Sequence, residues 1–120
     1  MPKFNWPRVI LIGDSLTQFG FSTDGCWTSM LADALQRKCD VINRGFSGYN
    51  SRNVKNILPQ FGDDLLRDPE NVSAITVFLG ANDANDPAVV RAGTPNQNVP
   101  LPEYEQNLNW ILNFLEEKVS

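Results

Sequence analysis

The stretch Arg8–Leu16, which reads RVILIGDSL, decides the fold class. Val9–Ile12 is an unbroken apolar run, and a run that short is typical of a strand buried on both faces of a parallel sheet. It ends in Gly13, which permits a sharp turn, and Asp14 and Ser15 follow as turn or cap residues. The pattern predicts that Ser15 follows the carboxyl end of a strand, where open α/β sheets place their sites. Taken alone, the stretch fits equally well a plain strand–turn–helix junction with Ser15 as the cap.

Length and charge exclude several classes of protein. The chain has 120 residues, enough for one small domain over residues 1–120, and a formal net charge of -4. No segment is basic, so we expect no nucleic acid partner. No apolar run approaches the ~20 residues of a membrane span, and MPKFNWPRV lacks the apolar core of a signal peptide. Two cysteines, Cys26 and Cys39, are expected as reduced thiols, which favours a cytoplasmic protein.

Strands alternate with helices along the chain. After an irregular lead-in, in which Phe4 and Trp6 are expected to pack on the sheet edge, the predicted strands are Val9–Ile12, Cys39–Asn43 and Val72–Leu79. The predicted helices begin at about Asp24, Ser51 and Pro102. Their expected buried stripes are Trp27, Met30, Leu31, Ala34 and Leu35; Val54, Ile57, Leu58 and Phe61; and Tyr104, Leu108, Ile111, Leu112 and Leu115. Arg37 and Lys38 are placed in the last turn of the first helix, and Pro59 is expected to kink or end the second.

The alternation predicts a parallel sheet with right-handed crossovers, in the strand order 2-1-3. In that order the three loops that follow the strands lie along one edge of the sheet. We therefore expect Ser15, the Gly45–Gly48 loop and Asn82 to meet there. The long loop Ala84–Pro100 is expected to belong to the same site, because so long a connection is often functional.

These residues could carry out acyl transfer, which needs a nucleophile, a base and donors for the developing oxyanion. Ser15 would supply the hydroxyl, and the backbone N–H of Ser15, the N–H of Gly48 and the amide of Asn82 would be the donors. Each residue also has an ordinary interpretation. Gly48 can simply permit a turn, Asn82 and Asp83 can cap or turn the chain, and Asp14 can make a local hydrogen bond.

Three segments together resemble the first sequence blocks of the GDSL, or SGNH, hydrolases. They are GDSL at Gly13–Leu16, Gly48 within NRGFSGYN, and GAND at Gly80–Asp83. The sequence around them most resembles the isoamyl acetate-hydrolysing esterases. The resemblance implies a flavodoxin-like α/β/α sandwich and a serine ester hydrolase without metal or cofactor. It implies that Ser15 is the nucleophile, that Gly48 and Asn82 help the Ser15 backbone to bind the oxyanion, and that short acyl esters or related lipids are substrates. Asp14 and Asp83 would support the site.

The family's Asp-x-x-His block does not occur in the chain, which contains no histidine and reaches only Ser120. The fourth and fifth strands of the family are missing as well. The resemblance therefore implies about the first half of such an enzyme. Loss of a triad member leaves only ~10³–10⁴-fold catalysis over water, so we expect little activity from these residues alone.

Two other functions fit the sequence. The chain could be a non-catalytic form that associates with itself or with a full-length chain through strand three, whose Ile75, Val77 and Phe78 would be partly uncovered. It could also be a nucleotide- or flavin-binding module. The glycine pattern disfavours a nucleotide- or flavin-binding module. The segment GDSLTQFG lacks the GxGxxG dinucleotide motif, and the GK[ST] motif of phosphate-binding loops does not occur.

Overall fold

The computed structural model describes residues 5–89 and 91–120, with three parallel strands in one sheet. The strands are β1 (Arg8–Gly13), β2 (Asp40–Gly45) and β3 (Val72–Phe78), in the order β2-β1-β3. The α/β class and the predicted strand order 2-1-3 are confirmed. Ile10, Leu11 and Ile12 of the central strand are fully buried, as a run of apolar residues in a doubly covered strand predicts.

Within the described residues, four α-helices accompany the strands: α1 (Ser15–Gln18), α2 (Trp27–Ala34), α3 (Ser51–Leu65) and α4 (Leu101–Val119). Short 3₁₀ turns occupy Phe19–Phe21 and Pro69–Asn71. Both cysteines carry free thiols. Within residues 5–89 and 91–120, none of the helices combines the length and the apolar character that a bilayer-spanning segment requires.

The chain divides into two compact units. The sheet unit comprises the described part of Met1–Ser47 together with Asp68–Phe78, and so holds the three strands with α1 and α2. The helical unit comprises Gly48–Arg67 and Leu79–Ser120, and holds α3 and α4 with the long connection that precedes α4. The chain passes from the first unit to the second and back, and then enters the second again. The prediction of a single domain stays a prediction.

The sheet unit differs from the sequence prediction mainly between β1 and β2. The segment Thr17–Asp24, predicted as a loop, begins within a helix, because α1 starts at Ser15 and a 3₁₀ turn follows. Helix α2 begins at Trp27 and ends at Ala34, so Arg37 and Lys38 lie beyond it. The predicted stripe is wrong: Thr28 is the buried residue of α2, whereas the side chain of Met30 is 70% exposed. A Cβ on Gly20 would lie 2.3 Å from Oγ1 of Thr28, so this face of α2 packs on a glycine.

The helical unit also corrects three details. Asn50, rather than Ser51, is the N-cap of α3. The helix continues through Pro59, which is exposed, while the buried stripe on the opposite side runs on without a break through Val54, Leu58, Gly62 and Leu65. In α4 the buried residues are Asn107, Ile111 and Leu115, and Leu112 is 48% exposed. Burial of the apolar stripe outweighs the one backbone hydrogen bond that proline removes.

Two strand boundaries move slightly. β2 extends to Gly45, two residues into the predicted loop, and β3 ends at Phe78 instead of Leu79. β3 lies at the edge of the sheet that the described residues form, and its Phe78 is 49% exposed, as expected for an uncovered edge. Residues 1–4 of the predicted lead-in, and with them the expected packing of Phe4, lie outside the described residues.

Candidate active site

Ser15 is the first residue of α1, directly after the turn that ends β1. Asp14 caps this helix: its Oδ1 accepts a hydrogen bond of 2.9 Å from the backbone N–H of Leu16. The backbone carbonyl of Asp14 accepts from the N–H groups of Thr17 and Gln18, at 3.1 and 2.9 Å. Asp14 is 1% exposed, whereas Ser15 is half-buried. Asp14 thus has the local hydrogen-bonding role that its position predicts, and Ser15 is the more accessible of the two.

The end of β2 holds α1 in place. The side-chain amide of Asn43 donates to the carbonyl oxygen of Thr17 at 2.8 Å, and its oxygen accepts from the N–H of Gly45 at 2.8 Å. A Cβ on Gly45 would lie 2.1 Å from the backbone nitrogen of Gln18, so only glycine fits against the helix here. The sequence reasoning missed Asn43. Its signal is a short polar side chain inside a strand, two residues before a glycine.

An apolar surface follows Ser15 in the sheet unit. The side chain of Leu16 is 50% exposed, and the indole N–H of Trp27 donates to the Leu16 carbonyl at 2.8 Å. The rings of Trp27 and Phe78 meet edge to face with centroids 6.4 Å apart. We call Leu16, Trp27 and Phe78 the apolar patch. Such a surface can contact an alkyl group.

Gly48 and Asn82 both lie in the helical unit and are joined through Tyr49. The side-chain amide of Asn82 donates to the Tyr49 carbonyl at 2.8 Å, which uses one of its two N–H bonds. Gly48 has a φ of +82°, a backbone conformation that residues with a side chain rarely adopt. Its carbonyl accepts a 2.6 Å hydrogen bond from the side-chain amide of Gln97.

Asp83 anchors the same segment to the start of α3. Its carboxylate is 4% exposed and accepts from the backbone N–H of Ser51 at 3.1 and 3.0 Å and from the Ser51 hydroxyl at 2.6 Å. The Ser51 oxygen accepts in turn from the side chain of Asn107, at 3.0 Å. The neighbour of Asn82 is therefore a buried carboxylate with its hydrogen bonds satisfied. That Asp83 supports an active site stays a prediction.

Tyr104 fixes the backbone just before this segment. Its hydroxyl donates to the carbonyl of Leu79 at 2.7 Å, and a Cβ on Gly80 would lie 3.0 Å from that hydroxyl. Burial raises the pKa of Tyr104, and the negative charge of Asp83 raises this pKa further. The phenol thus keeps its proton, and so its hydrogen bond, above the ordinary range of tyrosine.

The predicted site residues fall in both units. Ser15 and Asp14 belong to the sheet unit, while Gly48, Asn82 and Asp83 belong to the helical unit, where hydrogen bonds bring them together. The meeting of Ser15 with Gly48 and Asn82 stays a prediction. Among the described residues, no group of three or more histidine, cysteine or acidic side chains is placed to hold a metal ion.

The chain matches the model of the GDSL-like lipase/acylhydrolase family over residues 11–119. The chain belongs to that family. This confirms the resemblance that the GDSL, Gly48 and GAND segments indicate.

Curated members of the GDSL-like family are closely similar to this chain. The isoamyl acetate-hydrolyzing esterase 1 homologs of Mus musculus and Rattus norvegicus are 51% and 50% identical to it. Each match covers 92% of this chain but 42% of the relative, so the chain spans less than half the length of these relatives.

A solved structure shares the fold. The crystal structure of AlinE4, an esterase of the SGNH-hydrolase family, superimposes with a TM-score of 0.70 at 23% identity, over 98% of this chain and 57% of that one. The predicted SGNH-hydrolase fold is confirmed, with only part of it present.

Proposed function

We propose that the chain is the amino-terminal part of a serine ester hydrolase and that Ser15 is its nucleophile. The observation that carries the proposal is the position of Ser15, which is half-buried, begins α1 and is separated from β1 by Asp14 alone. The neighbouring Asp14 is engaged in capping the helix, so Ser15 is the hydroxyl that this turn presents. Membership of the GDSL-like family supports the same assignment.

In the proposed reaction, Oγ of Ser15 attacks the ester carbonyl carbon while a base takes its proton. The tetrahedral oxyanion is bound by the N–H groups of Ser15 and Gly48 and by the second N–H of the Asn82 amide. Collapse of this intermediate breaks the bond to the alcohol oxygen, which leaves with the proton from the base. Water then hydrolyses the acyl-serine, releasing the acid and restoring the hydroxyl. Each donor is worth roughly 3–4 kcal/mol in the transition state.

We propose short-chain carboxylic esters as the substrate class. The curated relatives are named for hydrolysis of isoamyl acetate, an ester of a small acid and a branched alcohol. The apolar patch of Leu16, Trp27 and Phe78, adjacent in the sheet unit to the turn that bears Ser15, suits an alkyl group of that size. The three side chains of this patch are uncharged, which suits an uncharged ester.

The base is proposed to come from outside these 120 residues. The sequence contains no histidine, and Asp83 is occupied by Ser51 within the helical unit. Asp86 is exposed, and a solvated carboxylate is a poor base for a serine hydroxyl. We therefore assign the base to an Asp-x-x-His block in the remainder of the protein.

The test is intact-mass analysis after exposure to a fluorophosphonate, which labels an activated serine. Two proteins are compared: this chain, and a chimera in which it is continued by the part of a family member that carries the Asp-x-x-His block. We expect one label on the chimera, lost in its Ser15→Ala variant and kept in Ser22→Ala, an exposed serine of the same unit. The chain alone should label at least ~10³-fold more slowly.

Equal labelling of the chain and the chimera would show that a base exists within these residues. Labelling of the chimera that survives Ser15→Ala would refute the nucleophile assignment outright.

The position of β3 favours a second candidate function, pairing with another chain. β3 lies at the edge of the described sheet, and Phe78 at its end is 49% exposed. Unpaired edges of this kind recruit further strands. If this is the function, the chain should form a defined dimer or a 1:1 complex with the chimera, and Thr76→Pro on the exposed part of β3 should abolish it. A chain that stays monomeric at high concentration would contradict it.

A further inference from the structure

We propose that Gln97 is a positioning residue for Gly48, holding the peptide of this glycine in the orientation that oxyanion binding needs. The inference rests on the proposed function for the role of Gly48. It concerns the long connection before α4, to which the sequence assigns no residue role. Gln97 lies near its end and belongs, like Gly48, to the helical unit.

Both polar atoms of the Gln97 side chain are hydrogen-bonded. Its Nε2 donates to the Gly48 carbonyl at 2.6 Å, and its Oε1 accepts from the side-chain amide of Asn85 at 2.8 Å. Its backbone carbonyl accepts from the side chain of Asn50, the N-cap of α3, at 2.9 Å. Because Asn85 presents a donor to the oxygen, the nitrogen of the Gln97 amide must face Gly48. The contact with Asn85 thus orients the Gln97 amide, and the nitrogen of that amide binds the Gly48 carbonyl.

Gly48 needs such a restraint. With a φ of +82° and no side chain, it has access to more backbone conformations than any other residue type. The peptide that follows it is fixed by Gln97, and the next carbonyl, that of Tyr49, is fixed by Asn82. The N–H of Gly48 belongs to the preceding peptide, so its direction is set by the two torsions of Gly48 itself, φ and ψ. With the carbonyl held by Gln97, fewer combinations of these torsions remain. A Cβ at this position would lie 3.2 Å from Nε2 of Gln97, so the fit is close on that side.

A different role, simple stabilisation of the long connection, is separable from positioning. Asn96 has that role: its amide donates to the carbonyls of Asp86 and Val89, at 2.8 and 3.0 Å, and it has no bond to Gly48. Asn96→Asp therefore removes loop hydrogen bonds and leaves the Gly48 contact intact. Gln97→Glu keeps the size and the acceptor for Asn85, but it replaces the donor to Gly48 with a second acceptor.

The first experiment measures the backbone of Gly48 directly, by NMR on the chain with ¹³C and ¹⁵N labels. The carbonyl ¹³C shift of Gly48 reports its hydrogen bond, and the couplings between its amide and α protons report φ. We expect Gln97→Glu to shift the carbonyl signal and to average the two couplings, as in a flexible glycine. Asn96→Asp should change neither. If Gln97→Glu unfolds the chain, Gln97→Met replaces it, because it removes the donor without adding charge. It should shift the Gly48 carbonyl signal and average the couplings in the same way.

The second experiment measures ester hydrolysis by the chimera. We expect Gln97→Glu to lower kcat by about tenfold to a hundredfold with KM changed by less than about twofold. The reason is that the Gly48 N–H binds the oxyanion, which forms in the transition state and is absent from the bound ester. Asn96→Asp should leave both constants within about twofold. Unchanged couplings at Gly48, or equal kinetic losses in both variants, would overturn the positioning role. A chimera whose hydrolysis survives Ser15→Ala would instead refute the proposed function and leave the NMR result standing.

Discussion

The two segments that carry the candidate active site are held by different means. In the sheet unit, the turn of Ser15 is fixed mainly by backbone hydrogen bonds and by the close approach of Gly45 to α1, with Asp14 as a local cap. One distant side chain, that of Asn43, adds a hydrogen bond to the Thr17 carbonyl. In the helical unit, Gly48 and Asn82 are fixed by side chains distant in sequence. Asn82 bonds to Tyr49, 33 residues away, and Gln97 to Gly48, 49 residues away.

The difference decides which substitutions each segment tolerates. Backbone packed against backbone cannot move to admit even one methyl group, so the Ser15 turn should fail through sterics. A network of side chains fails when one polar partner is removed, because the others are left buried and unpaired. The two mechanisms predict different sensitive residues and different magnitudes.

The largest effect is expected from Gly45→Ala, which tests the steric side of the comparison. The added Cβ would lie 2.1 Å from the backbone nitrogen of Gln18, and no side-chain movement relieves a contact with backbone. We expect the free energy of unfolding to fall by more than about 3 kcal/mol, measured by urea denaturation.

The matched control is Gly93→Ala. Gly93 has a φ of +76°, but a Cβ there would meet nothing within 4 Å. Only backbone strain remains, and it should cost about 1 kcal/mol. Gly45 does not have a positive φ, so backbone strain is not expected there. If the two variants lost equal stability, the close contact at Gly45 would cost no more than strain at an open position, and the steric account would be wrong.

The steric side of the comparison could be predicted in large part from the sequence. The run Val9–Ile12 and the glycines and polar residues that end the strands sufficed for the sheet order and for the position of Ser15, because buried strands and their turns are local patterns. The failures in this unit, such as the exposed Met30, come from a short helix whose packing face is chosen by Gly20.

The polar side could not be predicted in the same way. Gln97 and Ser51 are ordinary polar residues in the sequence, and only the fold brings each to its partner. Asp83 is predicted to support the site, yet nothing in the sequence indicates that its hydrogen-bond partner is Ser51, 32 residues away. Long-range hydrogen bonds depend on side-chain direction and distance, which periodicity does not encode.

An intermediate effect is expected at Asp83, which tests the polar side. Asp83→Ala leaves the N–H and the hydroxyl of Ser51 without their acceptor in a buried setting. We expect a loss of about 2–3 kcal/mol. Ser51→Ala should cost less, and the double variant should show a coupling energy of about 1–2 kcal/mol in a double-mutant cycle.

Asp86→Ala is the control for this cycle. Asp86 is exposed and its Oδ1 accepts one bond, from the N–H of Ala88. Its loss should cost less than about 0.5 kcal/mol and add independently to that of Ser51→Ala. Additive losses for Asp83 and Ser51 would mean that the network does not act as a unit.

The smallest effect is expected from Tyr104→Phe, and its pH dependence distinguishes a buried hydrogen bond from packing. The phenol donates to the Leu79 carbonyl, so its removal should cost about 1 kcal/mol at neutral pH. Burial raises the pKa of Tyr104 in the folded chain above its ordinary value, 10.0. The stabilisation is therefore complete below pH 10 and is lost as the pH rises through the raised pKa, because the unfolded chain releases the proton first. Urea denaturation should show a constant gap between the two proteins from pH 7 to pH 9 and a narrowing gap above pH 10. Coincident curves up to pH 11 would mean that Tyr104 stabilises this segment by its ring alone, which Phe also supplies, and that the hydrogen bond to the Leu79 carbonyl adds nothing.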